Sequence, residues 1–163
     1  MSTPNPGPSY AELHLHTAYS LLDGASLPEE IVARAAELGY RHLAVTDHDN
    51  VSAAIKFKKA AAKRGLKQIQ GVEATVKPAG PPFGRQAGGR TMMPHLTLLA
   101  ENADGYRNIC RVLTRAHLDN ARRRPALDVE VLRGCAGGVI ALSGCRRGEI
   151  PSRILWGDYA GAM

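Results

Sequence analysis

The sequence predicts one α/β domain, an open sheet or an incomplete barrel with helices outside. Three observations carry this. Short apolar runs alternate with longer stretches of helical periodicity, the order expected of strands joined by helices. Glycines stand just past two of the helical stretches, at Gly39 and Gly65, where a left-handed closing residue is needed. The 163 residues, 44% of them hydrophobic, suffice for one buried core. They hold about five strand-like runs, against the roughly eight of a closed (β/α) barrel.

Taken in order, AELHLHT (11–17) alternates and reads as a first strand, with Glu12, His14 and His16 on one face. Ser26 and Glu29 have capping-box spacing, so a helix is expected from there to about Leu38, closed by Gly39. HLAVT (42–46) is a buried strand. Asp49 or Asn50 in the following DHDN can cap a second helix through about Arg64, ended by Gly65. KQIQGVEATV (67–76) reads as a strand and KPAGPPFGRQAGGRT (77–91) as a mobile loop. PHLTLLA (94–100) is the next strand. ADGYRNICRVLTRAHLDNA is a helix in which Tyr106, Ile109, Leu113 and Ala116 share one face. GGVIALSGC (137–145) is a strand ending on a cysteine, and a short last helix runs through Arg153–Trp156. The order β-α-β-α-β-β-α-β-α implies mostly parallel strands with right-handed crossovers.

Composition narrows the function classes. A net charge of +6 is compatible with a polyanionic partner, although the basic residues are scattered. The densest basic runs, Lys56–Lys59 and Arg122–Arg124, read first as a solvated helix face and a helix end. Cys110, Cys135 and Cys145 have no repeated spacing, which argues against a disulfide framework and for a reducing compartment. The N-terminus is polar and Pro-rich, with no signal-peptide run, and no stretch is long enough to span a bilayer. The expected location is the cytoplasm, with no membrane partner. Residues 1–9 are expected to be a disordered lead-in and residues 10–163 the domain.

The metal-capable residues fall in a pattern on this map. His14 and His16 end the first strand, and Asp23 lies in the loop after it. His48 follows the second strand, Glu73 lies within the third, His95 opens the fourth and Cys145 closes the fifth. Five of these seven stand at or just past a strand's C-terminal end, where α/β proteins build their sites. Glu73 and His95 break the rule, so their strand limits are expected to differ from this reading. Two residues apart on a strand, His14 and His16 have Cα atoms roughly 6.6 Å apart on one face, which suits two imidazoles on one metal or adjacent metals.

Singly, each residue has an ordinary reading. His14 and His16 can be half-exposed histidines, Asp23-Gly24 a turn and Glu73 a surface carboxylate. Cys145 can be a small buried apolar residue, and Asp47 a cap or a partner that orients His48. Together they hold more ligands than one tetrahedral ion needs and read as a polynuclear site suited to phosphoester hydrolysis. His42 and His117 are left as structural. There is no Ser-His-Asp order, no GxGxxG after a strand and no GxxxxGK[ST], so hydride transfer and P-loop chemistry have no support.

The stretches ELHLHTAYSLLDGAS, LAVTDHDNVSAAIKF, GVEATV, PHLTLLAENADGYRNICRVLTRAH and ALSGCRRGEIP carry a resemblance. Across residues 10–157 the chain resembles the PHP (polymerase and histidinol phosphatase) domain, and within it the N-terminal PHP domain of bacterial C-family DNA polymerases, the DNA polymerase III alpha subunits. YAELH, LDGAS and TDHD look closer to the error-prone, repair-associated branch. The resemblance implies a distorted (β/α)7 barrel, here truncated, with a metal site of up to three divalent ions, Zn or Mn. By position the ligands would be His14, His16, Asp23, His48, Glu73, His95 and Cys145. The family's late D-x-H pair has no counterpart before Met163, so the chain is expected to be a fragment of a longer polymerase. The implied parent is a DNA-directed DNA polymerase with a possible 3′–5′ proofreading exonuclease. Its implied partners are DNA, its own remaining domains and accessory subunits of a replisome or repair polymerase. Two other expectations stay open: a freestanding phosphoesterase acting on a small phosphomonoester, and a structural module without chemistry.

Overall fold

The computed structural model describes residues 10–78 and 93–163. Strands β1 (His42–Val45), β2 (Lys67–Thr75), β3 (His95–Ala100) and β4 (Val139–Leu142) form one sheet in that order. The helices are α1 (Pro28–Glu37), α2 (Ala54–Lys63), α3 (Ala103–Leu118), α4 (Val129–Arg133), α5 (Glu149–Leu155) and α6 (Tyr159–Ala162). The α/β class and the unclosed sheet are as the sequence predicts. The expected lead-in, and all but the first two residues of the expected loop at 77–91, lie outside the described residues.

The strand directions are mixed. β1 and β2 are parallel, while β2–β3 and β3–β4 are antiparallel. Three isolated bridges, Glu12 to Leu43, His48 to Glu73 and Val76 to Leu127, are parallel. The reversal at β4 has a simple cause. Helix α3 carries the chain away from the end of β3, and residues 119–138 bring it back to that same end, where Val139 pairs with Ala100. That return includes α4, capped by the Asp128 carboxylate, which the apolar pattern did not signal.

The first expected strand is reduced to an extended segment beside β1. The backbone N–H groups of Ala44 and Thr46 donate to the carbonyls of Glu12 and Leu15. Three residues on one side therefore face two on the other, as in a bulge. Between them the His14 N–H donates to its neighbour Glu12 at 3.0 Å, and the Leu15 N–H to the Thr46 hydroxyl at 2.8 Å. Side chains thus take the bonds that a ladder would have used.

Two helix starts also differ from expectation. Helix α1 is capped one residue later, because Pro28 takes the first helical position and the Leu27 N–H donates to Glu30 at 2.8 Å. Helix α2 begins at Ala54 with no side-chain cap. Asn50 accepts only from the Ser52 N–H, and Asp49, at φ 54°, turns its carboxylate onto Thr75 instead.

Two apolar clusters hold the layers together. Val32, Leu43, Val45, Phe57 and Ala61 join α1 and α2 to β1. Val72, Leu98, Ile109, Val112, Leu113 and Leu127 join α3 to β2 and β3. Tyr106, expected on the buried stripe of α3, stays partly exposed. The stripe begins one residue earlier, at Gly105, whose Cα lies so close to the Gly138 carbonyl that no side chain fits between them.

Candidate metal centre

The mixed sheet explains the two residues that broke the strand-end rule. Glu73 lies near the C-terminal end of β2, and His95 opens β3. Because β2 and β3 are antiparallel, the start of β3 lies at the same edge as the end of β2, with Thr75 paired to His95. Glu73 and His95 are then diagonal neighbours on one face. The strand limits stand close to where the sequence put them; the direction of β3 is what differs. His48 reaches the same edge from β1 through its bridge to Glu73. Cys145 reaches it from three residues past β4, in a turn rather than in the strand as read.

Glu73 is the centre of the group, with its side chain only 2% exposed. His14 Nε2 lies 3.0 Å from its Oε1, and His16 Nε2 lies 3.2 Å from its Oε2. His48 Nδ1 and His95 Nδ1 lie 3.1 and 3.2 Å from that same Oε2. The Cys145 thiol is 3.5 Å from Oε1. Asp23 is more distant, 4.0 Å from His16 Nδ1 and 44% exposed. Two ligand groups emerge, His14 with His16 and Glu73, and His48 with His95 and Glu73. Asp23 and Cys145 stand at their rim.

The angles matter more than the distances. His14 Nε2, His16 Nε2 and His95 Nδ1 are buried and make no hydrogen bond of acceptable geometry, despite their closeness to the carboxylate. Buried nitrogens of this kind are costly unless something else satisfies them. Ring nitrogens and carboxylate oxygens packed at 3.0–3.2 Å, but not aimed at one another, fit donors that share a cation. The donor set, imidazole and carboxylate with one thiol, suits a divalent ion of the first transition row or zinc.

Supporting residues fix these ligands. Asp49, which the sequence reading used only as a cap, lies with its Oδ2 3.2 Å from His48 Nε2. That contact favours a proton on Nε2, so an ion would take Nδ1, which without one donates to the Glu73 carboxylate at 3.1 Å. His117, left as structural, reaches the Asp49 carbonyl at 2.8 Å. Asp47 does not touch the His48 ring. It accepts from Ser20, whose hydroxyl in turn accepts the His48 backbone N–H at 2.9 Å. No sequence signal marked Asp49, because a non-glycine residue at positive φ cannot be read from composition.

The electrostatics follow from this packing. Burial works to raise the Glu73 pKa, but the four facing imidazoles outweigh it and hold the carboxyl far below the usual range. The Glu73 contact raises His14 above its ordinary value of 6.5 against the effect of burial. For His48 burial pulls down, and Glu73 and Asp49 together more than offset it. Burial pushes the Cys145 thiol up. Metal uptake must displace these protons. Affinity for Mn(II) or Zn(II) is therefore expected to fall as pH is lowered from 8 to 6, starting above the 6.5 of a free histidine. Potentiometric titration should show protons released on metal addition; uptake without release would contradict this geometry.

Comparisons with known proteins give the family. Residues 12–163 match the PHP domain family. The chain is 41% identical to an error-prone DNA polymerase of Symbiobacterium thermophilum, over 94% of this chain and 14% of that protein. It is 43% identical to a DNA polymerase III subunit alpha of Thermus aquaticus, over 90% of this chain and 12% of that protein. Among solved structures, an amidohydrolase from Chromobacterium violaceum is 30% identical, covers 66% of this chain and 33% of its own, and superposes with a TM-score of 0.48. The chain thus spans a small part of the curated relatives it matches. Among the described residues no helix is long and apolar enough to cross a membrane.

Proposed function

The chain belongs to the PHP domain family, and from that premise we propose that it forms a polynuclear metal site for phosphodiester hydrolysis at the 3′ end of DNA, within a bacterial DNA polymerase III alpha or error-prone polymerase chain. One observation carries the reading: a single buried carboxylate clasped by four imidazoles, three of them with a buried nitrogen that no hydrogen bond satisfies. Similarity to both polymerase types supports the parent, a nucleotidyltransferase whose partners are DNA, its own further domains and accessory subunits, in the cytoplasm. Identities of 41% and 43% do not separate the two branches.

His14, His16 and Glu73 would hold one ion and His48, His95 and Glu73 a second, with Asp23 and Cys145 open to a third. Zn or Mn fits the nitrogen, oxygen and sulfur donors. Divalent ions, when bound, supply Lewis acidity toward phosphate oxygens. The protein's own part is to keep Glu73 ionised and to hold it in a buried place, paired across the sheet with Thr97 and with its N–H on the Thr46 carbonyl. A groove of about 1070 Å³ lined by His48 and Asp49 also includes Arg123, Arg124 and Lys77, the last paired with Asp128, and its surplus of cations favours a polyanion over a small phosphomonoester.

The test uses the protein expressed from its complete coding sequence. Metal analysis should find bound Zn or Mn, and 3′-recessed DNA should lose nucleotides in a metal-dependent reaction. Replacing His14 and His16 with alanine is expected to lower that rate by about 100-fold or more while polymerisation persists. Bound metal near zero would favour a purely structural module, and unchanged exonuclease activity in the double variant would sink the site.

A further inference from the structure

A cavity of about 480 Å³ opens beside the cluster, and its walls include Arg146 and Arg147 as well as the metal-capable side chains. On the basis of the metal reading above, we infer that these two arginines are the phosphate-binding residues of the site, taking the non-bridging oxygens of a phosphate ester presented to the cluster.

Their placement is built into the backbone. The His95 N–H donates to the Arg147 carbonyl at 2.9 Å, and the Arg147 N–H donates to the Cys145 thiol at 3.3 Å. Arg147 is thereby tied to two members of the metal-capable set. The Ser152 hydroxyl, itself buried, donates to the Arg146 carbonyl at 2.8 Å, and the Gly148 N–H closes the turn onto the Cys145 carbonyl. Gly144, at φ 80°, and Gly148 have no room for a Cβ against the His95 and Ser143 carbonyls. The turn is therefore fixed relative to the ligands, and both guanidinium groups start from a fixed point.

Arg34, Arg107, Arg115, Arg133 and Arg153 each pair with a carboxylate no more than five residues away. Among the described residues Arg146 and Arg147 pair with none, as Arg41, Arg64, Arg111 and Arg122–Arg124 also do not; what sets these two apart is that they line the cavity of the cluster together with Asp23 and Glu73. Two adjacent cations beside a cation-binding cluster repel one another unless an anion sits between them. A guanidinium fork matches two phosphate oxygens at once, and near bound ions it would act on charge that the ions do not reach.

The protein from its complete coding sequence, loaded with Mn(II), is titrated with inorganic phosphate in a calorimeter, after its metal content has been measured. The R146Q/R147Q double variant should keep its Mn(II) and bind phosphate at least tenfold more weakly. The R146K/R147K variant should recover only part of the loss, because lysine keeps the charge but not the fork. Unchanged phosphate affinity at full metal content overturns the assignment. So does loss of metal from the glutamine variant, which would make the arginines props for the Cys145 turn. A wild-type protein that takes up no metal removes the reading of the cluster and the arginine assignment with it, and the prior metal measurement tells the two failures apart.

Discussion

Replacing Glu73 with glutamine is expected to lower divalent-ion affinity at both ligand groups together, by about 100-fold or more. Outer partners of metal ligands alone are worth about 10–100-fold, and Glu73 belongs to both groups. Glutamine keeps the volume, so the buried position next to the Thr46 and Asp47 carbonyls remains filled. What disappears is the charge. Equilibrium dialysis with Mn(II) or Zn(II) measures the outcome, and retention of one tight ion in Glu73→Gln would show that the two groups do not share this residue. A second readout comes from the metal-free protein. His14 and His48 are raised above their unfolded value near 6.5 with help from Glu73. A raised histidine contributes stability that is fully present below the unfolded pKa and is lost as pH rises through the folded one. Metal-free Glu73→Gln should therefore be less stable than wild type at pH 5.5 and close to it at pH 8 by urea denaturation. An equal loss at both pH values would point to packing rather than to the imidazoles.

The parts of this site written locally were the parts that could be read. His14, His16 and Asp23 sit within ten residues of one another, and His48 follows an apolar run that can only be a buried strand. Glu73 and His95 were identified from their residue types and the family resemblance, but their meeting depends on β3 running antiparallel to β2. That direction could not be read, because the sequence between the strands, residues 76–94, carries no helical or strand period. The expected first strand failed for a related reason. Alternation placed Glu12, His14 and His16 on one face, yet Glu12 spends its carboxylate on the His14 N–H and on the Tyr10 hydroxyl, and the segment bends. Asp49 was hidden by its positive φ, and Arg146 and Arg147 by the ordinary look of a basic pair in a turn. In each case the missing information was which backbone groups would be satisfied by side chains, a property of the folded neighbourhood rather than of sequence spacing.

Asp47 offers the largest expected effect on stability. Its side chain is 1% exposed and accepts the Thr17 N–H at 2.7 Å, the Thr17 hydroxyl at 2.9 Å and the Ser20 hydroxyl at 2.7 Å. Thr17 and Ser20 are as buried as Asp47 itself. Asp47→Ala leaves those three donors without an acceptor and loosens the Ser20 hydroxyl that receives the His48 N–H. Hydrogen bonds to a charged acceptor are worth about 1.5–3 kcal/mol each, and buried donors left alone cost about as much, so a loss of about 3–5 kcal/mol is expected. Asp47→Asn keeps the shape and one acceptor oxygen and should lose about half of that. Urea denaturation of the metal-free protein at pH 8 measures both. The residues Asp47 holds flank His16 on one side and Asp23 on the other, so Asp47→Ala should also weaken metal binding by about 10–100-fold without removing any ligand. This separates it from Glu73→Gln, which takes the ion away at pH 8 and leaves the metal-free fold nearly intact. An Asp47→Ala protein with wild-type metal affinity and less than about 1 kcal/mol of lost stability would mean that the His14–Asp23 segment is held by its ligands rather than by Asp47.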